Sequence, residues 1–373
     1  MQLNRRRFTL GAAGLAGAAL GLGVQPFARA QSASQNDSWT KTVSAAEGEG
    51  RLILAGPVIQ PYREALQTFA KAYPKIKLEY NAVTSPTFDA RISSEHRAHR
   101  NVTDVVVLGF SGAAFSQQIP NHWFDPVRPL VVNSDVLDNL HWLGGFEAGF
   151  LDEKKSYLYA FQAGKQNNLH IDRQAVPVSA FNQLSDLLDP KWHGKIAILD
   201  PRERGSGHLV TLMIKVLGID KARAFLVQQK PVIASSNRQL SDWIAQGAYP
   251  ITSGLSPSEI AGLQAQGLAK TVRALELPPQ QTAWTPGWGT VGLLHGAPHP
   301  NAAKVFVNWL LSKEAQTEWS RLGFVNSRRT DVAPGLPASA LTEAAFTQGV
   351  SFNTEASVAV VNTAATLAKE VVG

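Results

Sequence analysis

The sequence predicts an α/β fold of two lobes joined by crossing extended segments. Three observations carry that expectation. Short apolar runs alternate with helical patterns in βαβαβ order, which argues for an open sheet. The run "TDVVVLGF" is apolar without interruption, as parallel strands buried on both faces are. Two long extended runs, "SYLYAFQAGKQNNLHID" and "PPQQTAWTPGWGTVGLLHG", link the αβ blocks where a hinge belongs.

The elements follow in order. Residues 31–44 (QSASQNDSWTKTVS) are small and polar and read as a flexible N-terminal stretch, with structure expected from about Glu47. "RLILAG" is a short strand ending at Gly56-Pro57. Pro61 opens a helix, where its missing N–H costs nothing. Tyr62, Leu66, Phe69 and Tyr73 recur at helical spacing until Pro74 stops the pattern. "IKLEYNAV" is the second strand, "SPTFDARISSEHRAHR" the second helix and "TDVVVLGF" the third strand. "KIAILD" starts the second block, followed by the turn "DPRERGSGHL" and a helix through Leu217. "KARAFLVQQ" and "SNRQLSDWIAQG" are helices, "YPITSGL" is a strand, and "PNAAKVFVNWLLSKEAQTEWSRL" is an amphipathic helix. A helical region at 341–369 closes the chain, and no internal repeat is evident. Ligands of open α/β sheets sit beyond the carboxyl ends of the strands. Residues 56–59, 83–87 and 109–111 are therefore expected at the edge of a site.

The first thirty residues form an export leader. Arg5, Arg6 and Arg7 precede a Gly-, Ala- and Leu-rich run, Pro26 breaks it, and Ala28-Arg29-Ala30 supplies a small-residue cleavage pattern, with cleavage expected after Ala30. The Arg-Arg-x-Phe order is similar to the twin-arginine signal, whose cargo is exported folded. The apolar run is shorter than the ~20 residues that span a bilayer. The leader holds four arginines and no acid, so the 35 basic and 29 acidic residues of the whole chain become 31 and 29 without it, a net charge of +2. No basic run suggests nucleic-acid binding. With no cysteine there is no disulfide, thiolate metal site, cysteine nucleophile or lipid-modified cysteine.

Six segments taken together carry a family likeness: "EGEGRLILAG", "FAKAYPKIKLEY", "TDVVVLG", "WHGKIAILDPRERGSG", "RQLSDWIAQGAYPI" and "AAKVFVNWLLSKEAQ". In this order, behind an export signal, they resemble the ferric-iron-type group (family 1) of periplasmic solute-binding proteins of ABC importers. The resemblance covers nearly the whole chain after the leader. It implies the two-lobed periplasmic-binding-protein fold (type II, Venus-flytrap) with two crossing hinge strands, a ligand in the cleft, and lobe closure that presents the loaded protein to an inner-membrane permease. It places lobe 1 at 45–162 plus 289–330 and lobe 2 at 163–288 plus 331–373. The family's iron site does not transfer. Its neighbouring tyrosines fall on the stretch that here reads Ser253, Gly254, Leu255, Ser256. Its histidine falls in "GPVIQ", which has none, and its acidic residue falls near Phe110. Hard ferric iron prefers phenolate and carboxylate oxygens, so the expected cargo is a small organic anion, phosphorylated or carboxylated. A ferric or ferric-chelate receptor is the alternative. The protein is expected to be a monomer without cofactor or metal.

The candidate site residues follow from chemistry. In "DPRERGSGHL" the glycines Gly205 and Gly207 let the backbone approach a ligand, free N–H groups at the helix start attract an anion, and Ser206 adds a donor. Arg204 adds a bidentate contact; Arg202 lies farther from the turn, and His208 follows it. The bland alternative is a capped helix with solvated arginines. Thr84, Ser85 and Thr87 make a second candidate anion contact, with Ser85 also readable as a plain N-cap and Pro86 as the first helical residue. Phe110, Ser111 and Ser253 stand at strand ends. Trp288, and less so Trp284, either line the cleft or pack the hinge. Gly164 and residues 287–289 are expected to absorb the hinge motion. His96 and His99 are three apart on a helix but lie among arginines and read as a solvated face. "GFSGA" misses the nucleophile-elbow pattern; a secreted serine hydrolase acting through Ser111 or Ser206 is the alternative from another class, and the expectation is that the protein is not an enzyme.

Overall fold

The computed structural model describes residues 26–373 apart from 167 and 204–206, with side chains described from 37 onward and not at 258. Arg5, Arg6, Arg7 and the apolar run of the leader lie outside the described residues. The chain divides into residues 1–42 and 43–373. Residues 31–44 are helical rather than flexible: α1 (Pro26–Glu49) runs through them. No proline or glycine stands between Pro26 and Gly48 to break the helix.

The first sheet is built from β1 (Arg51–Pro57), α2 (Gln60–Gln67), α3 (Phe69–Ala72), β2 (Lys77–Val83), α4 (Ser85–Arg97) and β3 (Val105–Leu108). β1 lies between β2 and β3, parallel to both. β3 is buried along its length, as an uninterrupted apolar strand must be. Next come β4 (Phe124–Asp125), α5 (Ser134–Leu137) and β5 (Leu158–Ala160).

The chain then crosses through β6 (Gly164–Lys165) to β7 (Leu169–Asp172). The second sheet adds β8 (Ile196–Leu199), α6 (His208–Leu217), α7 (Ile219–Ala224), β9 (Val232–Ala234), α8 (Asn237–Ala245), β10 (Ile251–Ser253), α9 (Pro257–Ala265) and β11 (Val272–Ala274). Its strand order is β11-β7-β10-β8-β9. One face packs Phe181, Leu184, Met213 and Phe225. A second cluster gathers Leu240, Ile244, Leu255 and Ile260.

The chain returns through β12 (Ala283–Thr285) to β13 (Thr290–Leu294), which joins the first sheet antiparallel to β3 and β5. α10 (Pro300–Leu310), α11 (Lys313–Gly323), α12 (Glu343–Gln348), β14 (Val350–Ser351) and α13 (Val358–Val372) complete it. β14 pairs with β12, so a third segment stands beside the two expected crossings.

Buried polar groups fix the first lobe and its crossing segments. Asp104 is fully buried. It accepts from the Ile53 N–H at 2.7 Å and the His299 N–H at 2.7 Å, and its Oδ2 meets His299 Nδ1 at 2.9 Å. One carboxylate thus ties β1 and β3 to the start of α10. Arg328 is also fully buried. Its guanidinium donates to the carbonyls of Leu143, Gly145 and Ala160, at 2.5, 2.8 and 3.1 Å, and lies over the Phe346 ring at 4.9 Å. Its backbone N–H donates to Phe161 O at 2.7 Å, which pins the first crossing segment.

Of the expected hinge glycines, two are demanded by geometry. Gly287 has φ +53, and a Cβ at Gly289 would sit 2.2 Å from Gln162 Cβ. Gly164 is not so constrained, since its Cβ would meet nothing closer than Ser339 Oγ at 3.5 Å.

Candidate functional site

The carboxyl ends of β1, β2 and β3 form one edge. Thr84, not Ser85, caps α4: its backbone is extended and its Oγ1 accepts from the Thr87 N–H at 3.4 Å. Ser85 is therefore the first helical residue and Pro86 the second. Thr84 and Thr87 share a hydroxyl–hydroxyl bond at 2.9 Å, and Ser85 Oγ donates to Gly109 O at 2.8 Å. Pro86 has no N–H, and the Phe88 N–H donates to Thr84 O at 2.8 Å. Of the expected anion contact at Thr84, Ser85 and Thr87, the Ser85 N–H and one threonine hydroxyl proton remain to meet a ligand.

Just beyond β3, Gly109 lies against the second crossing; a Cβ there would sit 2.7 Å from Gly287 O. Phe110 is buried, edge-on to Phe88 and Phe124 with centroids at 6.4 and 5.7 Å. It is core rather than an open stacking platform. Ser111 is exposed. A π-helical turn, Ala114–Gln118, follows. It buries Gln118 to 3% exposure, with Nε2 donating to Asp89 Oδ1 at 2.7 Å and Oε1 left without a partner. Ser85, Phe88, Asp89, Phe110, Ser111 and Gln118 line a small pocket at this edge. Asp89 and Gln118 carry no sequence signal, because no local pattern links residues so far apart in the chain.

The opposite edge is the end of β8 and β10. Asp200 takes two bonds from Arg202, Nε to Oδ1 at 2.8 Å and Nη2 to Oδ2 at 2.6 Å. Arg202 holds the Asp200 carboxyl below its usual range. Arg202 Nη1 also donates to Gly373 O. Arg202 is thus engaged with protein. Arg204, Gly205 and Ser206 lie outside the described residues. Gly207 caps α6 by accepting from both the N–H and the hydroxyl of Thr211 at 2.9 Å, and its Cβ position is 3.0 Å from Pro201 O. His208 stacks on Phe352, centroids 5.6 Å apart at 16°. Ser253 is buried at the end of β10, beside Leu169 and Ile198. Gly254 follows with φ +142 and its Cβ position 2.5 Å from Leu199 Cγ. Ser256 and Glu259 form a capping box on α9, and Asn237 Nδ2 donates to Glu259 Oε1 at 2.6 Å. His170 is buried nearby on β7. Burial pushes its pKa down to about 4, against the opposing charge of Glu259.

Both tryptophans of the second crossing pack against protein. Trp284 is buried against Phe346 at 4.6 Å. Trp288 is half-buried against the core of the first sheet. His96 lies against the Trp123 ring at 5.7 Å. Among the described residues no three His, Asp or Glu side chains gather as a metal site, and no helix is long and apolar enough to cross a membrane.

Two sheets joined by three linking segments define the two-lobed periplasmic-binding-protein fold. Solved structures share it. One is a Trichodesmium protein (IdiA, FutA) in complex with iron and citrate ligands, at TM-score 0.65 and 18% identity over 86% of this chain and 99% of that one. Another is an ABC transporter structure from Clostridium perfringens, at TM-score 0.64 and 15% identity over 86% and 100%. The chain belongs to the bacterial extracellular solute-binding protein family, whose model matches residues 64–348. It is a solute-binding protein and not an enzyme, so the hydrolase alternative built on Ser111 and Ser206 falls. A Salmonella typhi periplasmic protein, provisionally named for 2-aminoethylphosphonate binding, is 29% identical over 154 residues, 40% of this chain and 45% of that protein. The chain matches less than half the length of its curated relatives.

Proposed function

We propose that this protein is the receptor of an ABC importer and captures a small organic anion, a phosphonate, phosphate ester or carboxylate, between its lobes. It works in the periplasm as a monomer, exported by the twin-arginine-like leader with cleavage after Ala30, and delivers its solute to an inner-membrane permease. The lobes are 45–162 plus 289–330 and 163–288 plus 331–373. The bonds of Arg329 to Asp331 and of the Leu336 N–H to Asn326 favour extending the first lobe to about 340. The observation that carries the reading is the helix start beyond β8. Asp200 occupies Arg202, α6 begins at His208 behind Gly207, and the residues between are Glu203, Arg204, Gly205 and Ser206. Such a start offers N–H groups and dipole to an anion, with Arg204 and Ser206 as added donors. The Salmonella typhi relative's name fits this class of solute.

Thermal shift of the purified protein against phosphonates, sugar phosphates, carboxylates and ferric citrate tests it, because a ligand that binds only the folded state raises Tm by mass action. Organic anions are expected to raise Tm, and Arg204→Ala to weaken the best of them by about 1.5–3 kcal/mol, the scale of a charged hydrogen bond. A response to ferric citrate alone would instead favour the ferric reading suggested by the Trichodesmium structure.

A further inference from the structure

We infer that the small pocket at the first-lobe edge receives an ammonium group, so that the solute is a zwitterion whose amine enters the first lobe while its acid faces the second. The inference rests on the organic-anion reading above and adds a charge of opposite sign to the ligand. Gln118 carries the argument. Its amide is oriented by the bond from Nε2 to the Asp89 carboxylate at 2.7 Å, because the reverse orientation would set two oxygens against each other. That leaves Oε1, an acceptor on a side chain only 3% exposed, with no partner. Buried acceptors ordinarily have a donor.

Two further groups of the pocket wall point the same way. Asp89 brings negative charge. The Ser85 hydroxyl gives its proton to Gly109 O, so its oxygen faces the pocket as an acceptor. The apolar walls are Phe88 and Phe110. An ammonium offers three donors and no acceptor, whereas a phosphonate or carboxylate would meet like charge. The neighbouring start of α4 has few free N–H groups, as described, so this lobe is a poor receptor for the acidic end. The pocket has room for about one water-sized group, which suits an ammonium head and not a whole solute.

Calorimetric titration of the full protein with matched pairs tests this: 2-aminoethylphosphonate against ethylphosphonate, and β-alanine against propionate. The amino member of at least one pair is expected to bind at least tenfold tighter. Gln118→Leu and Asp89→Asn, checked for an unchanged melting profile, are each expected to cut that preference at least fivefold, with the affinity for the amine-free member held within about twofold. Equal binding with and without the amine would overturn the ammonium pocket and leave the organic-anion reading standing. A preference that survives both substitutions would overturn the assignment to Gln118 and Asp89. If no member of either pair binds, and the wider anion screen is also blank, both readings fall together.

Discussion

His170 sits in an environment that works against its charged form. It sits 2% exposed in the second sheet with Nδ1 unpartnered, and burial lowers its pKa from 6.5 to about 4. The unfolded chain therefore binds the proton more readily. Between pH 6.5 and 4 unfolding takes up a proton, so stability rises with pH across that window and falls as pH drops through it. At 1.36 kcal/mol per unit the full difference is roughly 3 kcal/mol. Tm measured from pH 7 to 4 should fall less steeply in His170→Leu than in the wild type; parallel curves would show that other groups set the acid limit. Arg328 makes the opposite demand. It remains charged and buried because three carbonyls and an aromatic face surround it. Removing it orphans those carbonyls and opens a void, so Arg328→Ala should lose about 3–4 kcal/mol in urea unfolding. "NSRRTD" gave no hint of this. The partners of Arg328 are backbone carbonyls, which no side-chain pattern records.

Elements were legible where burial repeats along the chain and obscure where a single contact decides. β1, β2 and β3 follow from uninterrupted or boundary-marked apolar runs, and their order gave the parallel sheet. The start of α4 shows the limit. Thr84 and Ser85 are equally good caps by residue type, and the choice is made by Gly109, whose carbonyl takes the Ser85 proton. The π-helical turn after β3 had no signal either, and it is this turn that swings Gln118 back toward Asp89 across 29 positions. The start of α10 shows a similar long-range choice. Its N1 proline was visible, but its acid is not in its own first turn. Glu49 supplies it, accepting from Asn301 N–H and Nδ2 and from the Ala302 N–H at 3.1, 2.7 and 2.8 Å. This carboxylate satisfies two helix-start donors and lies at the positive end of the dipole. Glu49→Ala should therefore cost about 1–2 kcal/mol, while Glu47→Ala, whose salt bridge with Lys75 is exposed, should cost well under 1. Equal losses in urea would show that charge near α10, rather than the cap bonds, is what counts.

At the scale of the molecule, binding and stability meet in the linking segments. A ligand that touches both lobes favours the closed arrangement by its differential affinity alone, so the segments between them must bend without separating. The Phe161 N–H donates to Gly289 O at 2.9 Å, and the Trp319 indole N–H donates to Gln162 Oε1 at 2.9 Å. The two crossings are thus laced to each other and to α11, with Gly289 at the point of closest approach. A methyl there would press into Gln162. Gly289→Ala should destabilise the protein by about 2–3 kcal/mol, the range for overpacking. It should also weaken ligand binding, because the displaced crossing misaligns two surfaces that one solute must bridge. Gly164→Ala is the control, since a methyl at that position meets only van der Waals contacts; it should leave affinity unchanged. Paired Tm and titration measurements separate the cases. If Gly164→Ala proves as damaging as Gly289→Ala, hinge freedom itself is what the glycines supply. If only Gly289→Ala is damaging, close packing of the crossings is what holds the two halves of the site in register.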